Sequence, residues 1–299
     1  MNVSTRFKLK DEMELDSSEK KILDKSPVVS GLMVPLAIVL VGALIIFGVT
    51  KMLSTDRSYQ DLVREMESKS FGNKWVAAYE LSKVIASSQI PKEEIPALIS
   101  RLSDIYSSPS ADPRTRDFIV VALGALDSPH SLPILKKALG DSDKNVKFHA
   151  ITSIGNMSKE NLILDWGALL DLLKSPDRAI QQAAVLTLGT HKVLKSEPLI
   201  VNLLNSEDIG VKYAAARVLI KFKNVKAVPY LKDILLLESG SKKSTLDAKQ
   251  IEILKLEVLK SVKKEEWSVL NDAIKKLSEK SGETKVALKA LEVLKVLKN

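Results

Sequence analysis

The chain contains no cysteine and only three histidines, His130, His149 and His191. Each histidine lies in a different segment and lacks a ligand partner at helical spacing, so the residue types that build zinc or iron centres are missing. No disulfide can form, which leaves no redox argument for or against an oxidising compartment. Glycine is sparse, 12 in 299 residues, and none of it falls in a phosphate-cradling or nucleophile-elbow pattern. The sequence therefore predicts no catalytic residue, no metal site and no cofactor, and the chain reads as a non-enzyme.

What the chain does have is one uninterrupted apolar run. Pro27–Thr50 carries no charge between Lys25 and Lys51. About 20 apolar residues rising 1.5 Å each cross the roughly 30 Å hydrocarbon core of a bilayer, and this run is longer. A secretory signal has a shorter apolar part, roughly 7–15 residues, and ends at a small-x-small cleavage site. Here Thr50-Lys51-Met52-Leu53 follows, so the run reads as an uncleaved transmembrane helix at 27–50. It stands behind a charged leader, 1–26, and before a linker, 51–57. The leader mixes six basic with six acidic residues and few apolar ones, the composition of a disordered tail.

Orientation follows from basic residues, which resist translocation. Arg6, Lys8, Lys10, Lys20, Lys21 and Lys25 precede the run, against Lys51, Arg57 and Arg64 just after it. The expectation is a single-pass protein of the inner (cytoplasmic) membrane, N-terminus in the cytoplasm. Residues 51–299 would then be extracytoplasmic, or periplasmic in a Gram-negative cell.

Residues 58–299 are organised by internal repetition. Four segments start at Asp112, Asp143, Asp177 and Asp208, spaced 31, 34 and 31 residues apart. Each has apolar residues three, seven, eight and eleven positions after its Asp, apart from Thr115, and that spacing is one stripe of a helix. The Asp caps free amides, and Gly124, Gly155 and Gly189 near the ends suit the chain's exit. A shorter apolar pattern precedes each segment, opened by Pro133, Gly167 or Pro198, with Pro229 opening the next; proline is at home in a helix's first turn. Weaker copies extend both ways, from a capping-box-like Ser58-Tyr59-Gln60-Asp61 to helical patterns near 246–262, 265–279 and 284–298. The fold class is all-α: an α-solenoid of about seven helical hairpins preceded by one transmembrane helix.

The Asp…Val-Lys…Ala-Ala…Leu-Gly pattern of the second helices and the Leu-Pro-x-Leu pattern of the first resemble the HEAT repeat family in its short bacterial form. The resemblance implies a polar ladder between repeats, here Asp143 with Lys147 and Asp208 with Lys212, interrupted at Gln181. It also implies that second helices line a binding surface. Five and nine positions after each Asp stand Asp117 and Val121, Phe148 and Thr152, Gln182 and Leu186, Tyr213 and Arg217. Of these, Phe148, Tyr213 and Arg217 are candidate partner-binding residues, because aromatics and Arg are enriched at interface hot spots. Some HEAT-like proteins are enzymes; deoxyhypusine hydroxylases carry paired His-Glu metal motifs that this chain lacks, and phycobilin lyases and alkylpurine glycosylases share the general fold.

The formal net charge of +8 belongs wholly to residues after the leader, whose own charges cancel. Such an excess suits an acidic protein, anionic lipid or an anionic polymer, while an extracytoplasmic domain disfavours nucleic acid. The expected function is a membrane-anchored scaffold or adaptor that binds a protein partner at the membrane surface in an envelope complex. The alternatives are an anchored enzyme acting on an envelope polymer or lipid, and a polyanion-binding module if the domain faces the cytoplasm.

Overall fold

The computed structural model describes residues 57–68, 74–87, 90–162, 164–238, 246–279 and 284–297. The chain divides into two units, Met1–Ser58 and Tyr59–Asn299. The leader 1–26, the apolar run 27–50 and all but the last residue of the linker 51–57 lie outside the described residues. Among the described residues no helix is long and apolar enough to cross a membrane.

The second unit is built from helices alone among its described residues. In chain order they are α1 (Tyr59–Glu67), α2 (Lys74–Ala86), α3 (Ile95–Ser107), α4 (Pro113–Ala125), α5 (Leu132–Ala138), α6 (Lys144–Asn156) and α7 (Gly167–Leu172). There follow α8 (Arg178–Thr190), α9 (Glu197–Asn202), α10 (Ile209–Leu219), α11 (Val228–Leu236), α12 (Ala248–Lys264), α13 (Asn271–Ser278) and α14 (Thr284–Leu297). Paired in order, these make the seven hairpins the repeats predict. The second helices α2, α4, α6, α8 and α10 each pack along the next, forming one continuous row.

Local chemistry sets the helix starts. Asp112, Asp143 and Asp177 each accept from two amides of the first turn, and Asp208 accepts from Val211. These contacts satisfy donors that have no carbonyl partner within the helix. Proline occupies the first turn of α3, α5, α9 and α11, where its missing N–H costs nothing. The C-terminal pattern near 265–279 begins as a helix only at Asn271, because Glu266 takes a left-handed φ of 48° and Ser268–Leu270 forms a 3-10 turn. A capping box with both of its bonds in place opens α12, between Asp247 and Gln250.

The sixteen stripe positions of the four aligned repeats are at most 3% exposed. Each fully buried Val, Leu or Ile contributes about 1.5–3 kcal/mol by leaving water, so the stripe is the main cohesive element of every repeat. Thr115, the one polar member, is also fully buried, and its hydroxyl donates to the Asp112 carboxylate at 2.6 Å.

Two expectations are corrected. The glycines at 124, 155 and 189 lie inside their helices and do not serve the chain's exit. The left-handed turns fall further on, at Asp127, Lys192 and Lys223. A methyl group on Gly124 would stand 2.4 Å from Ser153 Cβ, one on Gly155 2.6 Å from Thr187 Oγ1, and one on Gly189 2.4 Å from Val218 Cγ1. Each glycine therefore lets the next second helix approach. At that closeness Ser153 donates to the Val120 carbonyl at 3.1 Å and Thr187 to the Ile151 carbonyl at 3.0 Å.

The polar ladder is the second correction. Asp143 and Asp208 turn their carboxylates to their own helix starts, Asp208 accepting only a loose 3.4 Å bond from Gln182 of the preceding repeat besides, and among the described residues no ion pair joins them to Lys147 or Lys212. Repeats are instead linked by Arg116, which forks onto Asp141 at 2.9 and 3.0 Å and reaches the Ala111 carbonyl at 2.8 Å. Tyr106 donates to the same carboxylate at 2.6 Å. These bonds outweigh burial and hold the Asp141 carboxyl below the usual range, while burial and the neighbouring carboxylate push the Tyr106 phenol up.

Candidate protein-binding face

The stripe five and nine positions after each capping Asp is half-buried at Asp117, Val121, Phe148, Thr152, Gln182 and Arg217, exposed at Leu186 and buried at Tyr213. Beside its first half, α2 and α4 carry an aromatic cluster. Trp75 and Tyr79 of α2 meet Phe118 of α4 with ring centroids 6.5 and 5.1 Å apart. Arg114 lies 5.5 Å over Trp75 and Lys83 4.1 Å over Tyr79, positions that place cations on the negative faces of the rings. On α6, His149 Nδ1 donates to Asp117 of α4 at 2.5 Å. That bond raises the His149 pKa against the opposing effect of burial. Phe148 packs half-buried against the core, edge-on to His149 at 5.4 Å.

Beyond α8 the row changes character. Position twelve after the Asp, glycine in three repeats, is the buried Ile220 in the fourth. No close approach follows, and contact between α10 and α12 is sparse beside that between α8 and α10. A groove of about 280 Å³ opens there, walled by Gln182 and Leu186 of α8, Tyr213, Ala214 and Arg217 of α10, and Gln250, Ile253 and Leu254 of α12. Leu186 and Ile253 are 40% and 51% exposed on it.

Arg217 is the groove's cation. Its side chain is 24% exposed, and its Nη2 stands a loose 3.5 Å from Glu257. Its Nε is buried and has no hydrogen-bond partner. Burial pulls the guanidinium pKa down and Glu257 pushes it back up. A buried charged donor left unpaired is costly, which makes this group receptive to an anion.

Of the three residues picked out by sequence, the structure brings Tyr213 and Arg217 together in this groove and leaves Phe148 two second helices away. Tyr213 is 7% exposed, so its ring forms wall where a projecting contact was expected. It also walls a second cavity of about 430 Å³ with Lys212, Tyr230, Asp233 and Leu236. Sequence reasoning missed Trp75, Tyr79, Phe118 and Ile253. The first two and Ile253 sit outside the aligned repeats, and Phe118 falls one place off the stripe that was scanned. A usable signal did exist for the groove, namely the isoleucine at the glycine position.

The histidines hold structure together. His191 Nε2 reaches the Ile154 carbonyl at 3.0 Å beneath the Trp166 ring, and His130 pairs with Ser128. Among the described residues no group of three or more His, Asp or Glu is placed to hold a metal ion.

The profile of the family described as HEAT repeats matches residues 95–163 and 167–244. Among solved structures, the chain is similar to the CpcE–CpcF complex of phycocyanin lyase from Nostoc sp. PCC7120, at 18% identity over 81% of this chain and 95% of that one, with a TM-score of 0.52. It is similar to the YibA protein of Escherichia coli at 17% identity over 79% and 82%, with a TM-score of 0.51. An archaeal HEAT-like repeats protein from Thermococcus onnurineus NA1 aligns at 17% identity over 81% and 97%, with a TM-score of 0.45. At identities this low the first two, with TM-scores above 0.5, speak to the fold alone. No curated protein sequence matches the chain.

Proposed function

Taking residues 95–163 and 167–244 as the HEAT repeats they match, we propose that the protein is a membrane-anchored scaffold that holds a protein partner along its second helices. In this reading residues 27–50 are the anchor in the inner membrane, the leader is cytoplasmic, and the repeats stand on the other side as part of an envelope complex. One observation carries the binding role. The second-helix row ends in a groove where exposed Leu186 and Ile253 flank a partly buried, incompletely paired cation. Apolar side chains around a desolvated Arg are the composition of an interface centre.

The test is isolation of the full chain from its membranes in mild detergent, beside a variant carrying Leu186→Asp and Ile253→Asp. Both positions are exposed, so the fold tolerates them, while a hot-spot loss of about 2 kcal/mol or more weakens capture at least tenfold. A partner retained equally by the variant, or no partner together with turnover of a small molecule, overturns the proposal. Topology is tested separately with a reporter fused after Asn299. Only the reporter that works outside the cytoplasm should be active there; activity of a cytoplasm-only reporter refutes the orientation, and neutralising Lys20, Lys21 and Lys25 should weaken it.

A further inference from the structure

We infer that the groove between α8, α10 and α12 recognises a partner segment carrying a carboxylate next to an aliphatic side chain. The inference rests on the scaffold reading and names what one part of that face binds. At about 280 Å³ the groove is just below the size of ordinary small-molecule clefts, roughly 300–1,000 Å³. That volume suits two or three side chains of a peptide better than a cofactor.

The charge argument starts from Arg217. The equivalent positions of the other three repeats are Val121, Thr152 and Leu186, so this is the one charged residue nine places after a capping Asp. Its Nε is buried and unpaired, and its Nη2 has only the 3.5 Å contact with Glu257. Glu257 is itself shared with Lys260 at 3.2 Å, so it does not saturate the guanidinium. The exposed part of the guanidinium can meet an incoming carboxylate, and a turn of the side chain that bares Nε lets it bind through Nε and one Nη together, the planar two-point geometry that Arg offers and Lys does not.

The aliphatic half comes from the walls. Leu186, Ile253 and Leu254 present apolar surface beside the guanidinium, and filling the groove removes the first two from water. Gln182, whose amide makes only a loose 3.4 Å bond to Asp208, lines the same groove and can meet a peptide carbonyl. The basic surplus of the chain after its leader favours approach of an acidic partner.

The experiment pans a library of random twelve-residue peptides against the full chain held in detergent, then measures selected peptides by fluorescence anisotropy. Enriched peptides should share Asp, Glu or a free C-terminus beside Leu, Ile, Val or Met. Arg217→Gln should weaken them at least tenfold, and Arg217→Lys should weaken them less. Two rim variants guard against a fold effect at Arg217: Leu186→Lys should tighten acidic peptides and Leu186→Asp should weaken them. Enrichment of basic or uncharged peptides, enrichment of nothing, or equal binding by Arg217→Gln overturns the inference. So does displacement by inorganic phosphate at low concentration, or a dimer of the chain abolished by Arg217→Gln, which would seat a second copy in the groove. If these peptides fail while a protein captured from membranes is still lost with Leu186→Asp and Ile253→Asp, only this inference falls and the scaffold reading stands.

Discussion

Replacing Gly124 by alanine tests how the repeats are stacked, because two physical effects oppose each other there. Alanine favours a helix interior over glycine by about 1 kcal/mol, so a glycine that merely eased the chain's exit would be improved. In the structure the new Cβ stands 2.4 Å from Ser153 Cβ, 2.5 Å from its Oγ and 3.0 Å from its Cα. Carbon atoms rest about 3.5–4.0 Å apart, so α4 and α6 must separate by roughly 1 Å. Overpacking of this kind costs about 1–3 kcal/mol, and straining the Ser153–Val120 hydrogen bond adds about 1. The net expectation is a loss of about 1–3 kcal/mol. For a domain of this size a loss of about 2 kcal/mol lowers Tm by roughly 4–8 °C, read by circular dichroism at 222 nm. Gly140→Ala is the control: its Cβ meets only the Lys137 carbonyl at 3.5 Å, an ordinary contact, and Tm should hold. Ser153→Gly added to Gly124→Ala should restore much of the loss, since the pair is coupled through one contact. A rise in Tm for Gly124→Ala would refute the reasoning.

Three further outcomes follow from the same geometry. Asp141→Asn should cost about 3 kcal/mol by breaking a mostly buried pair with Arg116. Because the Asp141 pKa is depressed in the fold, that stabilisation is present above its unfolded value of about 3.9 and lost as pH falls through the lower folded value; urea melts of both proteins across the acid range should therefore converge. His149 has a raised pKa, so its bond with Asp117 stabilises fully below the unfolded value of about 6.5 and fades as pH rises through the folded one. Asp117→Asn should then be more harmful at pH 5.5 than at pH 8.5, and the opposite order would contradict the assignment. Ala184→Asp places an unpaired charge in a fully buried stripe and should cost several kcal/mol, about 3–5, or abolish folding.

The repeat architecture is legible in the sequence because it is periodic. Sixteen stripe positions, four capping aspartates and the first-turn prolines all depend on spacing along one helix, and each stands where the pattern puts it. What escaped the pattern depends on distance between helices. Gly124 looks like a terminator in one dimension and is a contact with Ser153 in three. Arg116 and Asp141 are 25 residues apart and belong to no stripe, so nothing in either segment announces their pairing. Tyr213 occupies the same helical position as half-exposed Phe148, yet it is buried and shares two cavities with the neighbouring helices. Arg217 was picked out by its type, but its unpaired Nε follows from how α12 sits beside α10.

The central claim, that the second-helix row is the binding face, is met most directly by site-specific photocrosslinking in intact cells. A benzophenone side chain would replace Leu186 or Ile253 in the groove, or Tyr79 in the aromatic cluster. As controls it would replace Leu194 or Val225, which are 71% and 67% exposed in the turns that lead into the first helices α9 and α11. A discrete protein adduct from Leu186, Ile253 or Tyr79, with none from Leu194 or Val225, is the predicted result. Adducts from Leu194 and Val225 alone, or equally from all five positions, would contradict the account.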